Sequence, residues 1–469
     1  MIEELVQRLL LSRTGSIEAP AGTGKTEQIV LVAAQTPGRW LILTHTVAGV
    51  DALRRRLRKY EVPPAKAQVD TLSAWSHRFA RAYPQASGLP ADWSARGRDW
   101  LAVVRAATKL IESGAITSVL AASYDGVLVD EYQDCTIAHH SLVCALSAVM
   151  RCYVFGDPLQ AIFGFGNDPL ADWNGQVLRQ FAPGGTLTTP HRWNRAGNPD
   201  LGAWLIRKRA DFARGNFDLG GAPPCVTWVA SAQKRATHEL ATACAKRIPD
   251  GETLNILHTN FDEVLRADLA KATGATTVEP VGGRTERQFY DALRQAEGVA
   301  RADAVLDFAA AVYVGLDAAA KKKRVGSLLN NPRLVRIPAS PAEQALVGVA
   351  QGASMHSIVD FFNCAEKEQG VALVRPELLY RVRSALAHCA DNEGTELDDA
   401  AWLAANVQRE RGRIIRQRSV GSSLLVKGLE FDHVVITADA CTTRKHWYVA
   451  LTRATKTVKV LSPARRFQV

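Results

Sequence analysis

The sequence predicts an α/β fold built on parallel sheets, and three observations carry that expectation. Short apolar runs at Trp40-Leu41-Ile42-Leu43-Thr44, Val127-Leu128-Val129 and Val154-Phe155 are spaced by stretches with helical character. A glycine-rich turn lies between a strand-like segment, Ser16-Ile17-Glu18-Ala19, and a helix that begins at Lys25. Strand character returns at Val434-Val435-Ile436 and at Val458-Lys459-Val460-Leu461, after a long alanine-rich block. Continuous apolar runs bounded by turn residues suit strands covered on both faces, as parallel sheets require. Their alternation with helices implies βαβ units.

Taken in order, a short helix comes first, then the strand at 16–19, the turn, and a helix from Lys25 to about Ala34. Strands follow at Trp40–Thr44 and up to Val129 and Phe155. From about 286 to 414 the pattern changes. Phe289 to Ala320, Pro341 to Gln351 and Pro376 to Cys389 carry helical periodicity and much alanine, and strand-like runs are scarce. The expectation is one α/β domain over 1–182, a second over 183–285 plus 415–469, and an all-helical insertion in the second at 286–414. No internal repeat or low-complexity tail is visible.

A chain of 469 residues is too long for one core. With 47% apolar and 22% charged residues it has the composition of a globular protein rather than a disordered one. Its formal net charge of +10 suits a polyanionic partner such as nucleic acid. The eight cysteines form no C-x-x-C pair and no His/Cys cluster with zinc spacing. Reduced thiols in a cytoplasmic protein are expected. The start, Met1-Ile2-Glu3-Glu4-Leu5, lacks a signal-peptide pattern, and no apolar run is long enough to span a membrane.

The chemistry is concentrated in two places. Ala19-Pro20-Ala21-Gly22-Thr23-Gly24-Lys25-Thr26 follows a strand and opens a helix, the setting of a phosphate-binding loop. Glycines let the backbone N–H groups of Ala21, Gly22, Thr23 and Gly24 curl around phosphates, and the helix N-terminus adds positive character. Lys25 would reach the β- and γ-phosphates of ATP, and the Thr26 hydroxyl would hold Mg²⁺. The strict pattern has glycine where Ala19 stands. The second place is Val129-Asp130-Glu131-Tyr132-Gln133-Asp134, where a buried strand ends in a run of polar groups. A solvated turn explains such a run in isolation. Behind a phosphate loop, Asp130 is placed to bind the metal and Glu131 to deprotonate water. Asp134 is suited to capping the helix that follows.

Asp130-Glu131-Tyr132-Gln133-Asp134 resembles the second motif of UvrD/Rep/PcrA-like superfamily 1 helicases. Other segments resemble that family's motifs in order, along nearly the whole chain. Gln7 stands where the family reads adenine, or is an ordinary surface residue. Leu43-Thr44-His45-Thr46 is similar to a T-F-T segment that touches the DNA backbone, with His45 replacing the aromatic. Asp70-Thr71-Leu72-Ser73 is similar in looser form to a second DNA-contact motif. Gly156-Asp157-Pro158-Leu159-Gln160-Ala161-Ile162-Phe163-Gly164-Phe165 resembles the third motif. The resemblance makes Gln160 a γ-phosphate sensor and places Phe163 and Phe165 against bases, the alternative being core packing. Thr189-Pro190-His191-Arg192 resembles the fourth motif, with His191 where a tyrosine stacks on adenine and Arg192 pairing the γ-phosphate. Val426-Lys427-Gly428-Leu429-Glu430-Phe431-Asp432 resembles the fifth, with Glu430 facing the ribose. Tyr448-Val449-Ala450-Leu451-Thr452-Arg453-Ala454 is similar to the sixth, with Arg453 as an arginine finger.

The resemblance implies two RecA-like P-loop NTPase domains. Lys25, Thr26, Asp130, Glu131 and Gln160 would lie on the first, and Arg192, Glu430 and Arg453 on the second. It implies ATP and Mg²⁺, single-stranded or tailed DNA as partner, and 3′-to-5′ translocation. The family's first insertion would be vestigial here, at about 84–122. In length and layout the chain also resembles the helicase-like subunits of Gabija-type anti-phage systems. That leaves a second expectation: a DNA-regulated ATPase that gates a partner nuclease. Two basic runs, Arg54-Arg55-Arg56-Leu57-Arg58-Lys59 and Lys321-Lys322-Lys323-Arg324, are either phosphate contacts or solvated faces.

Overall fold

The apolar runs fold as strands. The computed structural model describes every residue except 91, 95–98, 165–167, 233–236, 331–332, 334–335, 412 and 414. β1 (Thr14–Glu18), β2 (Trp40–Thr44), β3 (Ala67–Thr71), β4 (Gly126–Val129), β5 (Arg151–Gly156) and β6 (Pro183–Thr186) form a six-stranded sheet in the order β3-β2-β4-β5-β1-β6. All five pairings are parallel. β2 and β4 are buried at every position, which accounts for their unbroken apolar sequences. Successive residues feed opposite faces. Leu41 and Leu43 join one apolar cluster with helices Leu72–Ala82, Trp100–Glu112 and Ile137–Val149. Ile42 joins the other, with Ile29 to Ala33 of helix Lys25–Gln35.

The interval expected to hold a reduced insertion contains helices Pro84–Ser87, Trp100–Glu112 and Thr117–Ser123. Val104, Ala107, Leu110 and Ile111 of the second of these belong to the sheet's own core. The segment is therefore a layer of the first domain rather than a body beside it.

A second six-stranded sheet runs in the order Thr276–Thr277, Arg418–Gly421, Leu254–Leu257, Phe431–Ile436, Ala454–Ser462, Val226–Ala230. The first three pairings in that order, and the last, are parallel. Its polypeptide is interrupted by a helical block that begins at helix Arg284–Gln295 and ends at helix Leu397–Arg411. The block has its own core, in which Phe289 stacks on Phe308 at 4.2 Å. Among its described residues the one sheet element is a two-residue ladder between Tyr313–Val314 and Ala372–Leu373. The expected α/β fold, with two parallel sheets and a helical insertion in the second, is borne out.

The chain packs as two units: Met1–Pro223 with Thr443–Lys456 and Phe467–Val469, and Pro224–Thr442 with Thr457–Arg466. This division differs from the sequence-based boundary at 182. β6 pairs with β1, and helices His191–Arg195 and Pro199–Ala213 stay in the first unit. Helix Arg444–Leu451 returns to it. Trp193, fully buried, donates its indole N–H to the Ala454 carbonyl at 2.8 Å. Asn198 donates to the carbonyls of Thr455 and Lys456 at 3.2 and 2.8 Å. These contacts are far apart in sequence and leave no trace in local periodicity.

Candidate functional site

β4, β5 and β1 are neighbours in the first sheet, and a polar motif leaves the carboxyl end of each. Residues 19–26 follow β1, Asp130 to Asp134 follow β4, and Asp157 to Gln160 follow β5. Open parallel sheets bind ligands beyond these ends. The loop after β1 turns through Gly22 at φ 73° and Gly24 at φ 82°. Both values lie in the left-handed region that favours glycine. At Gly22 a side chain is also excluded by space, because a Cβ would sit 2.7 Å from Trp193 Cζ3 and 2.9 Å from Arg192 Cβ. Gly24 is the N-cap of helix Lys25–Gln35, and a Cβ there would meet the His191 ring at 3.1 Å.

Lys25 Nζ lies 3.0 Å from Asp130 Oδ1 and 2.6 Å from Glu131 Oε2. Burial alone would lower the Lys25 ammonium pKa, but the charges of Asp130 and Glu131 outweigh it and hold the group above its ordinary range. The Thr26 hydroxyl donates to Asp130 Oδ2 at 3.5 Å. Glu131 has φ 54°, a left-handed backbone on a non-glycine residue. Such a conformation costs about 1–3 kcal/mol and clusters at functional sites. Its backbone N–H donates to Asp130 Oδ1 at 2.9 Å, and Gln133 Nε2 donates to its carboxylate. Gln133 Oε1 accepts the Asp157 N–H at 2.9 Å, so one amide orients both acids.

Asp157 is fully buried. Its Oδ2 accepts the Ala21 N–H at 3.1 Å and Gln160 Nε2 at 2.7 Å. Its Oδ1 accepts the Leu159 N–H at 3.2 Å and Arg209 Nη2 at 2.6 Å. Gln160 Oε1 in turn accepts Arg453 Nη2 at 3.1 Å. The Ala21 N–H also reaches the Tyr448 hydroxyl at 3.3 Å. Thr23 folds back, donating its hydroxyl to the Pro20 carbonyl at 2.7 Å.

Arg192 and Arg453 were expected on the second domain; both pack in the first unit. The Arg192 N–H donates to the Gly22 carbonyl at 3.0 Å, and its guanidinium donates to the Thr452 carbonyl at 2.7 Å. Helix His191–Arg195 thus abuts the glycine loop itself. Arg453 follows helix Arg444–Leu451, which packs against the turn Pro158–Gln160. Glu430 belongs to the second unit and is exposed. Gln7 is exposed on helix Glu4–Leu9. His191 Nε2 lies 3.5 Å from Glu3 Oε1.

Of the residues expected on DNA, Thr44 and Thr71 are register partners at the carboxyl ends of β2 and β3. Thr44 is buried, and the Thr71 hydroxyl caps helix Leu72–Ala82 by accepting the Ala74 N–H at 3.0 Å. His45 Nε2 lies 3.4 Å from Cys135 Sγ. Phe163 is 42% exposed, so it is not core. Phe165 lies outside the described residues. The helix after the acidic motif is capped by Thr136, whose side chain accepts the His139 N–H, not by Asp134. Asp134 closes the short turn Tyr132–Asp134, and the helix starts only at Ile137. In the second basic run Lys321 and Lys322 are paired with Glu368 and Asp307, each at 2.7 Å. That run reads as a face of the helical block. In the first, Arg55, Arg58 and Lys59 are exposed.

Asp157, Gln133, Tyr448 and Arg209 had no role in the sequence reading. The first three sit inside recognisable motifs. Arg209 sits on a helix with no motif around it, and only its packing reveals it.

A family model described as the UvrD/REP helicase N-terminal domain matches residues 94–169, a segment that holds the acidic motif and Gln160 but not the phosphate loop. No curated protein matches the chain. Among solved structures, the Pif1 helicase from Candida albicans is 11% identical, with 99% of this chain and 96% of that one covered and a TM-score of 0.41. Two structures of the arterivirus helicase, nonstructural protein 10, one of them with DNA, are each 10% identical, with TM-scores of 0.35 and 0.36. The match covers 98% of this chain, which spans 63% and 62% of the two arterivirus chains.

Proposed function

We propose that the chain is an ATP-hydrolysing motor that moves on single-stranded DNA in the manner of superfamily 1 helicases, in the 3′-to-5′ direction that the resemblance implies. One observation carries the reading: Lys25, Thr26, Asp130, Glu131, Gln160, Arg192 and Arg453 all collect around the carboxyl ends of three adjacent strands. The donor set fits a magnesium nucleotide. No group of three or more His, Cys, Asp or Glu side chains among the described residues is arranged to hold a metal. A nucleotide-bound Mg²⁺ asks for less, one carboxylate and one hydroxyl besides phosphate oxygens, and Asp130 and Thr26 supply these. Bound there, the ion would supply Lewis-acid polarisation of phosphoryl oxygens.

The chain's own residues divide the remaining work. The backbone around Gly22 and Gly24 cradles phosphate, and Lys25 exchanges its carboxylate partners for phosphate oxygens. That exchange frees Glu131, which Gln133 keeps oriented, to take a proton from water. Gln160 and Arg453 face the transferring group as a hydrogen-bonded pair, and Arg192 adds positive charge from beside the glycine loop. For DNA, support comes from the net charge of +10, the exposed Phe163, and exposed arginines in the helix that follows Thr46. No disulfide joins any of the eight cysteines, which is in keeping with a reducing compartment such as the cytoplasm. No helix among the described residues is long and apolar enough to cross a membrane.

ATP hydrolysis measured with and without oligo-dT tests the first half of the proposal. Strand displacement on duplexes with 3′ or 5′ tails tests the second. Unwinding from 5′ tails only would overturn the assigned direction.

A further inference from the structure

We infer that Arg209, on helix Pro199–Ala213, is a positioning residue for ATP hydrolysis, one that acts through Asp157 and never touches nucleotide. This rests on the ATPase reading above. Asp157 is a buried carboxylate with four donors on its two oxygens, and those donors come from different parts of the site. One is the Ala21 N–H of the phosphate loop, 3.1 Å away. Another is the amide of Gln160, 2.7 Å away. The spacing between the loop that holds the phosphates and the Gln160–Arg453 pair is therefore set by one side chain. A buried carboxylate holds such a geometry only if its charge is balanced.

Arg209 supplies the balance. Its Nη2 lies 2.6 Å from Asp157 Oδ1. The same guanidinium donates to Glu18 at the end of β1, through Nε at 3.1 Å and through Nη2. Its Cζ lies 5.1 Å from the centre of the Tyr448 ring, and the Tyr448 hydroxyl meets the same Ala21 N–H. Arg209 is thus held on three sides, with a side chain only 12% exposed. A planar fork that bridges two carboxylates over an aromatic face is an arrangement lysine reproduces only in part. Nε and Nη2 of the guanidinium are spent on Glu18 and Asp157, while the buried Nη1 has no protein partner among the described residues. If Nη1 stays clear of phosphate, nucleotide affinity should not depend on Arg209 directly.

The test compares wild type, Lys25→Ala, Arg209→Gln, Arg209→Lys, Asp157→Asn and the double variant Arg209→Gln/Asp157→Asn. Steady-state ATP hydrolysis with saturating oligo-dT gives kcat and KM, fluorescent ADP gives affinity, and thermal unfolding gives Tm. If wild type shows no hydrolysis that Lys25→Ala abolishes, the ATPase reading fails and this inference falls with it. With that activity present, Arg209→Gln should lower kcat about tenfold or more. KM and ADP affinity should stay within about threefold, since only the transition-state geometry is lost. Arg209→Lys should recover only part of the loss, because an ammonium keeps the charge on Asp157 but cannot bridge both carboxylates. The double variant should be no worse than the poorer single one, because the two residues act as a unit. Three outcomes overturn the inference: kcat of Arg209→Gln within twofold of wild type, a raised KM with kcat intact, or fully additive losses in the double variant.

Discussion

Glu131 meets two requirements at once. Its backbone sits at φ 54°, and its carboxylate is shared between Lys25 at 2.6 Å and the Gln133 amide. Glu131→Gln keeps the shape and removes the base. Hydrolysis is expected to fall about 10²–10⁴-fold, while fluorescent ATP analogues still bind. Turnover within a fewfold of wild type would remove Glu131 from the chemistry. Gly22→Ala is expected to act differently. Its left-handed φ costs about 1 kcal/mol for any other L-residue, and the new methyl would press on Trp193 and Arg192. Nucleotide affinity should drop sharply with Tm reduced by only a few degrees, as binding titration and thermal melting can show. At this scale the sequence was legible wherever chemistry and local motif coincide, as at Lys25, Thr26 and Asp130. It was silent on Arg209, whose role comes from contacts with Glu18 and Asp157, 191 and 52 residues away.

Strands and helices were legible for a different reason. β2 and β4 are buried on both faces, so burial writes itself into their sequences as unbroken apolar runs. β6 was not legible, because Pro-Gly-Gly-Thr has no strand-forming pattern. It pairs as an edge strand, where Pro183 and the exposed Gly185 are tolerated. Nor was the return of helix Arg444–Leu451 to the first unit, which depends on Trp193 and Asn198 finding backbone carbonyls some 260 residues on. Trp193→Ala should cost about 3–5 kcal/mol, as for a large buried aromatic. It should also lower ATPase activity, because Arg453 rides on the same returning segment. Chemical denaturation and turnover measured on one preparation would check both. Loss of stability with full activity would separate that segment from the site.

At the scale of the whole molecule each sheet organises its own unit, and the helical block is tied into the second by buried charge. Arg375 meets Glu279 at 2.6 and 2.8 Å. Arg381, fully buried, donates to the Pro280 carbonyl outside the block at 2.9 Å and, within it, meets Glu286 at 2.9 Å and Gln408 at 2.7 Å. Removing one partner of such a pair costs about 3–5 kcal/mol. Arg381→Ala should therefore destabilise the second unit, seen as an early unfolding step, without altering nucleotide binding by the first. The net charge of +10 belongs to the same scale. If it serves DNA, affinity for oligo-dT should fall with salt at a log–log slope of about −0.7 per phosphate neutralised. The most direct test of the central claim remains ATP hydrolysis by the full chain, with and without single-stranded DNA, beside Lys25→Ala. The expected result is hydrolysis that rises severalfold with DNA and disappears in Lys25→Ala. Hydrolysis indifferent to any nucleic acid, or undiminished in Lys25→Ala, would contradict it.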